Sequence, residues 1–247
     1  MKVTFYGHSS FLITLDEEEG NEKPINLLID PFISPNPNAA DIDIDQIPAD
    51  YILVSHGHGD HIADVASIAR RTGATLISTF EIVNWFAEKE KINNGHPMNH
   101  GGAFDFDFGS VKLTNAVHSS TLPDGSPGGH PAGFIIRTNS GNDSSDGSND
   151  KSRVIYYAGD TALTMDMKLI GLYDKPDVAL LPIGDNFTMG PRDAAIASEF
   201  IQCKQIIGMH YDTFGYIQID HDAAKKEFED RGASLTLLEI GETMKIN

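Results

Sequence analysis

The chain has 247 residues, 40% of them hydrophobic and 22% charged, with a formal net charge of -18. A chain of this length can bury a core without disulfides, and its single cysteine, Cys203, excludes both an intramolecular disulfide and a Cys-rich metal site. The acidic excess repels phosphate backbones, no apolar run approaches the ~20 residues of a membrane helix, and the first residues show no signal-peptide pattern, so the reading is a cytoplasmic protein with no nucleic-acid and no membrane partner.

In chain order, residues 3–6, 11–15 and 26–29 read as short strands, and the proline- and aspartate-rich stretch 34–48 as loop. Residues 51–55 form a continuous apolar run, the mark of a strand buried on both faces. The pattern then predicts a helix from about Asp60 to Gly73, a strand over 74–78 and a second helix over 80–90. Residues 104–108 alternate with period two, Gly109-Ser110 reads as a turn, and 111–117 completes a hairpin. Strands at 134–137 and 154–157 flank residues 139–152, a run of Ser, Gly, Asn and Asp that cannot form core and reads as a hairpin tip. Strand and helix alternate thereafter: strands at 178–181, 206–209, 235–238 and 243–246, helices at 191–200 and 220–230. Hairpins followed by strand–helix units predict mixed sheets with helices outside, an α/β (α+β) protein.

The chemistry concentrates in Ser55-His56-Gly57-His58-Gly59-Asp60-His61, directly after a buried strand. A chain of this composition is expected to contain H-x-H-x-D-H by chance on the order of 0.002 times. Glycines 57 and 59 let the backbone turn sharply enough for neighbouring side chains to converge. Imidazole with carboxylate suits zinc, manganese, iron or nickel. Three further candidates each follow an apolar strand: His118, Asp160 and His210. With His56 they sit at the carboxyl ends of strands, where ligands collect in open sheets flanked by helices.

These residues carry a resemblance. The His56–His61 motif, then a lone His, an Asp and a last His in that order, resembles the metallo-β-lactamase superfamily. Within it the chain is most similar to uncharacterised bacterial metal-dependent hydrolases related to L-ascorbate-6-phosphate lactonase. Tyr6-Gly7-His8-Ser9, Ile29-Asp30-Pro31, Gly159-Asp160-Thr161, Ile183–Pro191 and Met209-His210-Tyr211 support it. They span nearly the whole chain and so imply one domain over residues 1–247, a four-layer αββα sandwich with a two-metal site at one edge. By position, the resemblance implies that His56, His58 and His118 hold a first metal, that Asp60, His61 and His210 hold a second, and that Asp160 bridges. Such a site takes two divalent ions, zinc first and Mn2+, Fe2+ or Ni2+ after it. A hydroxide shared between ions ~3.5–4 Å apart forms near neutral pH because its pKa drops to about 7. Asp60 would also orient it and accept its proton.

Other residues are candidates for supporting roles: His8 in its turn, Asp30 as an acceptor orienting a ligand histidine, and His130 in the glycine-rich loop 125–133. Asp185, Asn186 and Thr188 precede a helix opened by Pro191, whose amino terminus suits an anionic group. Trp85 and Tyr51 read as packing residues. The expectation is a metal-dependent hydrolase acting on a small-molecule ester, lactone or phosphoester, anionic substrates included. Two alternatives stand beside it: a phosphodiesterase or nuclease, and a metal-binding sensor without turnover.

Overall fold

A computed structural model describes residues 1–15, 23–139 and 152–246. The first part of the chain runs β1 (Lys2–Gly7), β2 (Ser10–Leu15), β3 (Ile25–Ile29), β4 (Tyr51–Leu53), α1 (Gly59–Ile62), α2 (Val65–Thr72), β5 (Thr75–Thr79), α3 (Phe80–Trp85) and β6 (Gly95–Met98). It continues with β7 (Ala103–Phe106), β8 (Gly109–Asn115), β9 (Ala132–Thr138), β10 (Val154–Tyr157), α4 (Met167–Leu169) and β11 (Val178–Pro182). The last elements are α5 (Pro191–Phe200), β12 (Gln205–Met209), α6 (His221–Glu229), β13 (Ser234–Thr236) and β14 (Thr243–Lys245).

The described strands form two seven-stranded sheets, in the orders β14-β1-β2-β3-β4-β5-β6 and β13-β12-β11-β10-β9-β8-β7. Both follow one plan. Antiparallel pairs (β1 to β3, β7 to β10) pass into parallel ones (β3 to β6, β10 to β13). Parallel neighbours need crossovers, and the helices that make them cover the outer faces. Side chains alternate along each strand to serve two cores. Phe11, Ile13, Leu15, Leu27 and Ile29 meet Phe134, Ile136 and Tyr157 in a core shared by both sheets. One residue out of phase, Leu12 and Leu28 pack with Ile52, Leu76 and the buried sides of α2 and α3, including Val65, Ile68 and Ile82. Ala194 and Ala197 of α5 and Phe228 of α6 are buried on the second sheet's side. The layers are helix, sheet, sheet, helix: the expected αββα sandwich.

Sequence signals set several boundaries. Helix α2 stops at Gly73, in the left-handed region at φ 75°, whose N–H reaches Ala69 O at 2.9 Å. Helix α6 starts on Asp220, whose Oδ1 accepts from the N–H groups of Asp222 and Ala223, each at 3.0 Å. Pro191 sits in the first turn of α5.

Elsewhere the structure departs from the pattern for identifiable reasons. The single helix expected from Asp60 to Gly73 is broken into α1 and α2. Asp64 at the break is buried, its carboxylate accepts from the N–H groups of Ile33 (2.7 Å) and Ser34 (2.9 Å), and its own N–H goes to Pro31 O. Strand β6 was not expected, because Gly95-His96-Pro97-Met98 has no apolar run; it pairs only with β5, at the sheet edge where a proline is tolerated. The turn between β7 and β8 is Asp107-Phe108, two residues before the expected Gly109-Ser110, with Phe108 drawn fully into the core. Strand β8 ends at Asn115, and Val117 is half exposed. The helix expected over 80–90 is α3 continued by a π turn over Phe86–Glu90. Residues 140–151 of the polar run lie outside the described residues; its flanks β9 and β10 pair antiparallel, as expected of a hairpin. No helix among the described residues is long and apolar enough to cross a membrane.

Candidate metal centre

The site lies where the ends of the strands of both sheets meet. From the first sheet, the turn after β4 carries His56 and His58, α1 directly after it carries Asp60 and His61, and the turn between β1 and β2 carries His8. From the second, His118 follows β8, Asp160 follows β10 and His210 follows β12.

Asp160 is at the centre. Its Oδ2 lies 2.9 Å from His210 Nε2, 3.3 Å from His61 Nε2, 3.6 Å from His118 Nε2 and 4.0 Å from His56 Nε2. Its backbone is tightly placed. Gly159 before it has φ 64°, and a Cβ there would come within 2.6 Å of Ala132 O. Around this carboxylate, three groups of potential ligand atoms each fall within 4.8 Å of one another: His56, His58 and His118; His8, Asp60, His61 and His210; and Asp30, His56 and His61, the last set deeper behind the centre. His56, His58 and His118 fall in one of these groups and Asp60, His61 and His210 in another, and Asp160 Oδ2 lies within 4.0 Å of a nitrogen of each. His8 joins the second set.

Hydrogen bonds point the rings. Asp30, fully buried, accepts from His61 Nδ1 at 2.8 Å, so His61 Nε2 faces the centre. The same carboxylate accepts from the Ser55 N–H (2.7 Å), the Ser55 hydroxyl (2.5 Å) and the Tyr157 hydroxyl (2.7 Å). Ser55 Oγ in turn lies 3.0 Å from His56 Nδ1, which turns His56 Nε2 inward. His8 Nε2 donates to Asp60 Oδ2 at 3.2 Å, and its Nδ1 accepts from the Thr213 hydroxyl at 3.0 Å. The His8 carbonyl accepts the His210 N–H at 2.7 Å. Both His8 and His210 hold left-handed backbone angles, φ 56° and 57°.

Burial and these charges polarise the cluster. Burial holds His56, His58 and His118 below the ordinary imidazole range, and takes His8 down to about 4. For His61, burial acts the same way but is outweighed by the Asp160 and Asp30 carboxylates, which raise it well above that range. Burial works against ionising Asp160 and Asp60 too, yet the surrounding imidazoles hold both well below the usual carboxylate range.

The donor set fits a divalent metal. His61 Nε2 and Asp160 Oδ1 are buried with no hydrogen-bond partner, a costly arrangement for two polar atoms. Mixed imidazole and carboxylate donors with an orienting carboxylate behind them suit zinc and its first-row neighbours.

The remaining candidates fall elsewhere. Asp185 and Asn186 occupy a turn of left-handed residues, φ 61° and 52°, and the Asp185 carboxylate accepts the Asn186 N–H at 2.8 Å. Asp185 borders a separate cavity with Pro191, Arg192 and Gln218, so the amino terminus of α5 opens beside this carboxylate. His130 is exposed, its ring 6.2 Å from that of His100, while Gly128 of the same loop packs on Ser120 beside the ligand turn. Trp85 and Tyr51 pack against Phe86 and Phe108. Sequence reasoning did not single out Tyr157 or Thr213, each placed by a hydroxyl on a ligand-orienting residue. Nor did it find Phe187 and Phe214, which line a cavity of about 270 Å³ over the centre with His58, Asp60, His118, Ser119, Asp160 and His210.

Comparison with known proteins agrees with this geometry. The model of the Beta-lactamase superfamily domain matches residues 25–211. The UPF0173 metal-dependent hydrolase of Christiangramia forsetii is 52% identical over 247 residues, covering 100% of both chains. That of Methylacidiphilum infernorum is 46% identical over 244 residues, covering 99% of both. Among solved structures, Igni18, a metallo hydrolase from Ignicoccus hospitalis, aligns with a TM-score of 0.81 and 33% identity over 100% of this chain and 99% of its own. The chain belongs to the metallo-β-lactamase superfamily and is a metal-dependent hydrolase.

Proposed function

We propose that this enzyme hydrolyses a small-molecule ester, lactone or phosphoester, in the cytoplasm, with two divalent ions, zinc foremost. The observation that carries the reading is one carboxylate oxygen, Asp160 Oδ2, shared among four imidazole nitrogens at the floor of a cavity of about 270 Å³. Two sets of ligand atoms on either side of one carboxylate support two ions, and the cavity size supports a small substrate. Bound there, divalent ions supply Lewis acidity and make water a nucleophile near neutral pH.

The chain's own residues do the rest. Asp60, held at Oδ2 by His8, is placed beside the cavity to orient the attacking water and accept its proton. Asp30 holds the Nδ1 proton of His61 and keeps its Nε2 turned toward the centre. Phe187 and Phe214 form apolar walls of the cavity beside it. The net charge of -18 depresses association with a polyanion, most strongly at low salt.

The test is metal analysis of the purified protein together with turnover of a lactone panel, bis(p-nitrophenyl) phosphate and single-stranded RNA. The expected result is two divalent ions per chain, with hydrolysis of at least one small substrate. RNA cleavage that speeds up as salt is lowered would overturn the small-molecule reading. Two bound ions with no turnover on any substrate would favour a binding protein.

A further inference from the structure

Three residues of the cavity are neither candidate ligands nor their hydrogen-bonding partners: Ser119, Phe187 and Phe214. Other exposed phenyl rings occur, Phe80 and Phe104 among them, but of the exposed rings these two line the cavity over the centre. Phe187 is 50% exposed and Phe214 36% exposed, although large aromatic side chains contribute most when buried. Both sit on loops fastened by backbone hydrogen bonds.

Phe187 follows two consecutive non-glycine residues in the left-handed region, Asp185 and Asn186. Its loop is closed by Asp185 N–H to Met189 O (3.1 Å) and tied by Met189 N–H to Thr161 O (3.0 Å), next to Asp160. Phe214 follows a second such position, Asp212 at φ 58°. Asp212 closes that loop through its N–H to Ile217 O (2.8 Å), and its carboxylate takes the Ile219 N–H (3.0 Å). The Phe214 ring stands 5.4 Å from that of His8 and 6.3 Å from that of Phe32, and Phe187 stands 6.3 Å from the exposed ring of Tyr216. Two hydrogen-bonded loops from different strand ends thus each place one exposed ring on the same cavity.

The polar composition of the cavity points the same way. None of its lining residues is Lys or Arg, so apart from the proposed ions no cationic side chain is placed to recognise a phosphate or carboxylate group on the part of a substrate away from the reacting centre.

We propose that Phe187 and Phe214 are specificity-determining residues that clasp an uncharged aryl group of the substrate, which makes the substrate class neutral aryl-bearing lactones or esters in place of phosphorylated ones. This rests on the hydrolytic reading above. In the reaction, water oxygen forms the new bond to the acyl carbon and the acyl–oxygen bond breaks. One water proton goes to the departing alkoxide, and the carboxylic acid formed releases the other to solvent.

Two measurements test it on the metal-loaded protein. The first is the ratio of kcat/KM for γ-phenyl-γ-butyrolactone over γ-butyrolactone. The wild type is expected to favour the phenyl compound by about tenfold or more, and the ratio to fall toward one in Phe187→Ala and in Phe214→Ala. A ratio unchanged in both variants overturns the clasp, as does faster wild-type turnover of a phosphorylated lactone than of its neutral parent. The second needs no turnover: affinity for phenylacetone against acetone, neither hydrolysable, followed by ligand-detected NMR. Preference for phenylacetone that disappears in the double variant supports the clasp even where no lactone or ester is hydrolysed and the hydrolytic reading fails. Preference equal in wild type and double variant overturns the clasp even where hydrolysis is found. Both rings are solvent-exposed, so the alanine variants are expected to keep their melting temperature.

Discussion

Oδ2 of Asp30 lies 2.8 Å from Nδ1 of His61, and both side chains are fully buried. Asp30 is therefore not free to seek another partner, and the ring it holds has a single orientation. Removing it should act twice. Asp30→Ala leaves His61 Nδ1 and the hydroxyls of Ser55 and Tyr157 without their common acceptor. The expected cost is roughly 3 kcal/mol or more of stability from buried unpaired groups. Metal affinity should fall about 10–100-fold because the ring is no longer oriented. Thermal melts and chelator competition read the two effects separately, and an Asp30→Ala protein with wild-type metal affinity would remove the orienting role.

Asp60 and Asp160 are expected to matter in a different way. Each stands at a strand or helix terminus, outside the two hydrophobic cores, so Asp60→Ala and Asp160→Ala should fold. Each should bind at most about one metal ion and lose hydrolysis, since a two-metal clamp is broken. Elemental analysis of the purified variants checks this. A variant that keeps two tightly bound ions would show that its carboxylate is no ligand.

The run over residues 139–152 joins two strands whose pairing is already complete at its edge, with Thr138 N–H to Arg153 O at 2.9 Å and Arg153 N–H to Thr138 Oγ1 at 2.9 Å. Replacing it by Asn-Gly should leave the fold and metal content intact and add roughly 1–2 kcal/mol through cheaper loop closure. Urea melts and a metal assay decide. Lost turnover with metals retained would make the run part of the substrate site.

Cys203 offers a check on packing. It is 3% exposed, and burial pushes its thiol up to about 11. A raised thiol pKa means the neutral form persists well above neutrality, so at pH 8 the reactive thiolate is roughly one part in a thousand. The native protein should resist a disulfide reagent at pH 8 and react once per chain in urea. Stoichiometric labelling of the native protein within minutes would contradict the burial.

The contrast between what was legible in the sequence and what was not follows from the range of each interaction. The ligand turn is a local pattern, and strand ends bearing His118, Asp160 and His210 are local patterns set at long separations. All were readable once apolar runs were taken as strands. The break at Asp64 depends on donors from Ile33 and Ser34, and the inward turn of Phe108 on a core assembled from distant strands. Neither leaves a mark in its own neighbourhood. Strand β6 exists because β5 offers it an edge. Tyr157 reads as one more apolar residue of a buried strand, and only the folded chain shows that its hydroxyl reaches Asp30. Phe187 and Phe214 sit in polar, glycine-containing segments where a lone aromatic carries no periodic signal.

The distribution of ligands over the two sheets has a consequence for assembly. His56 and His58 come from the first sheet and His118 from the second; Asp60 and His61 come from the first and His210 from the second. Both sets draw on both sheets, His8 adding a third first-sheet residue to the second. An ion held by either set in full would be a rivet across the seam between the two halves of the sandwich. By mass action, each tenfold excess of free ion over its dissociation constant tightens that seam by about 1.4 kcal/mol per site. The cell's supply of free metal would thereby set how much of this enzyme persists as a finished sandwich, as well as how much of it is active.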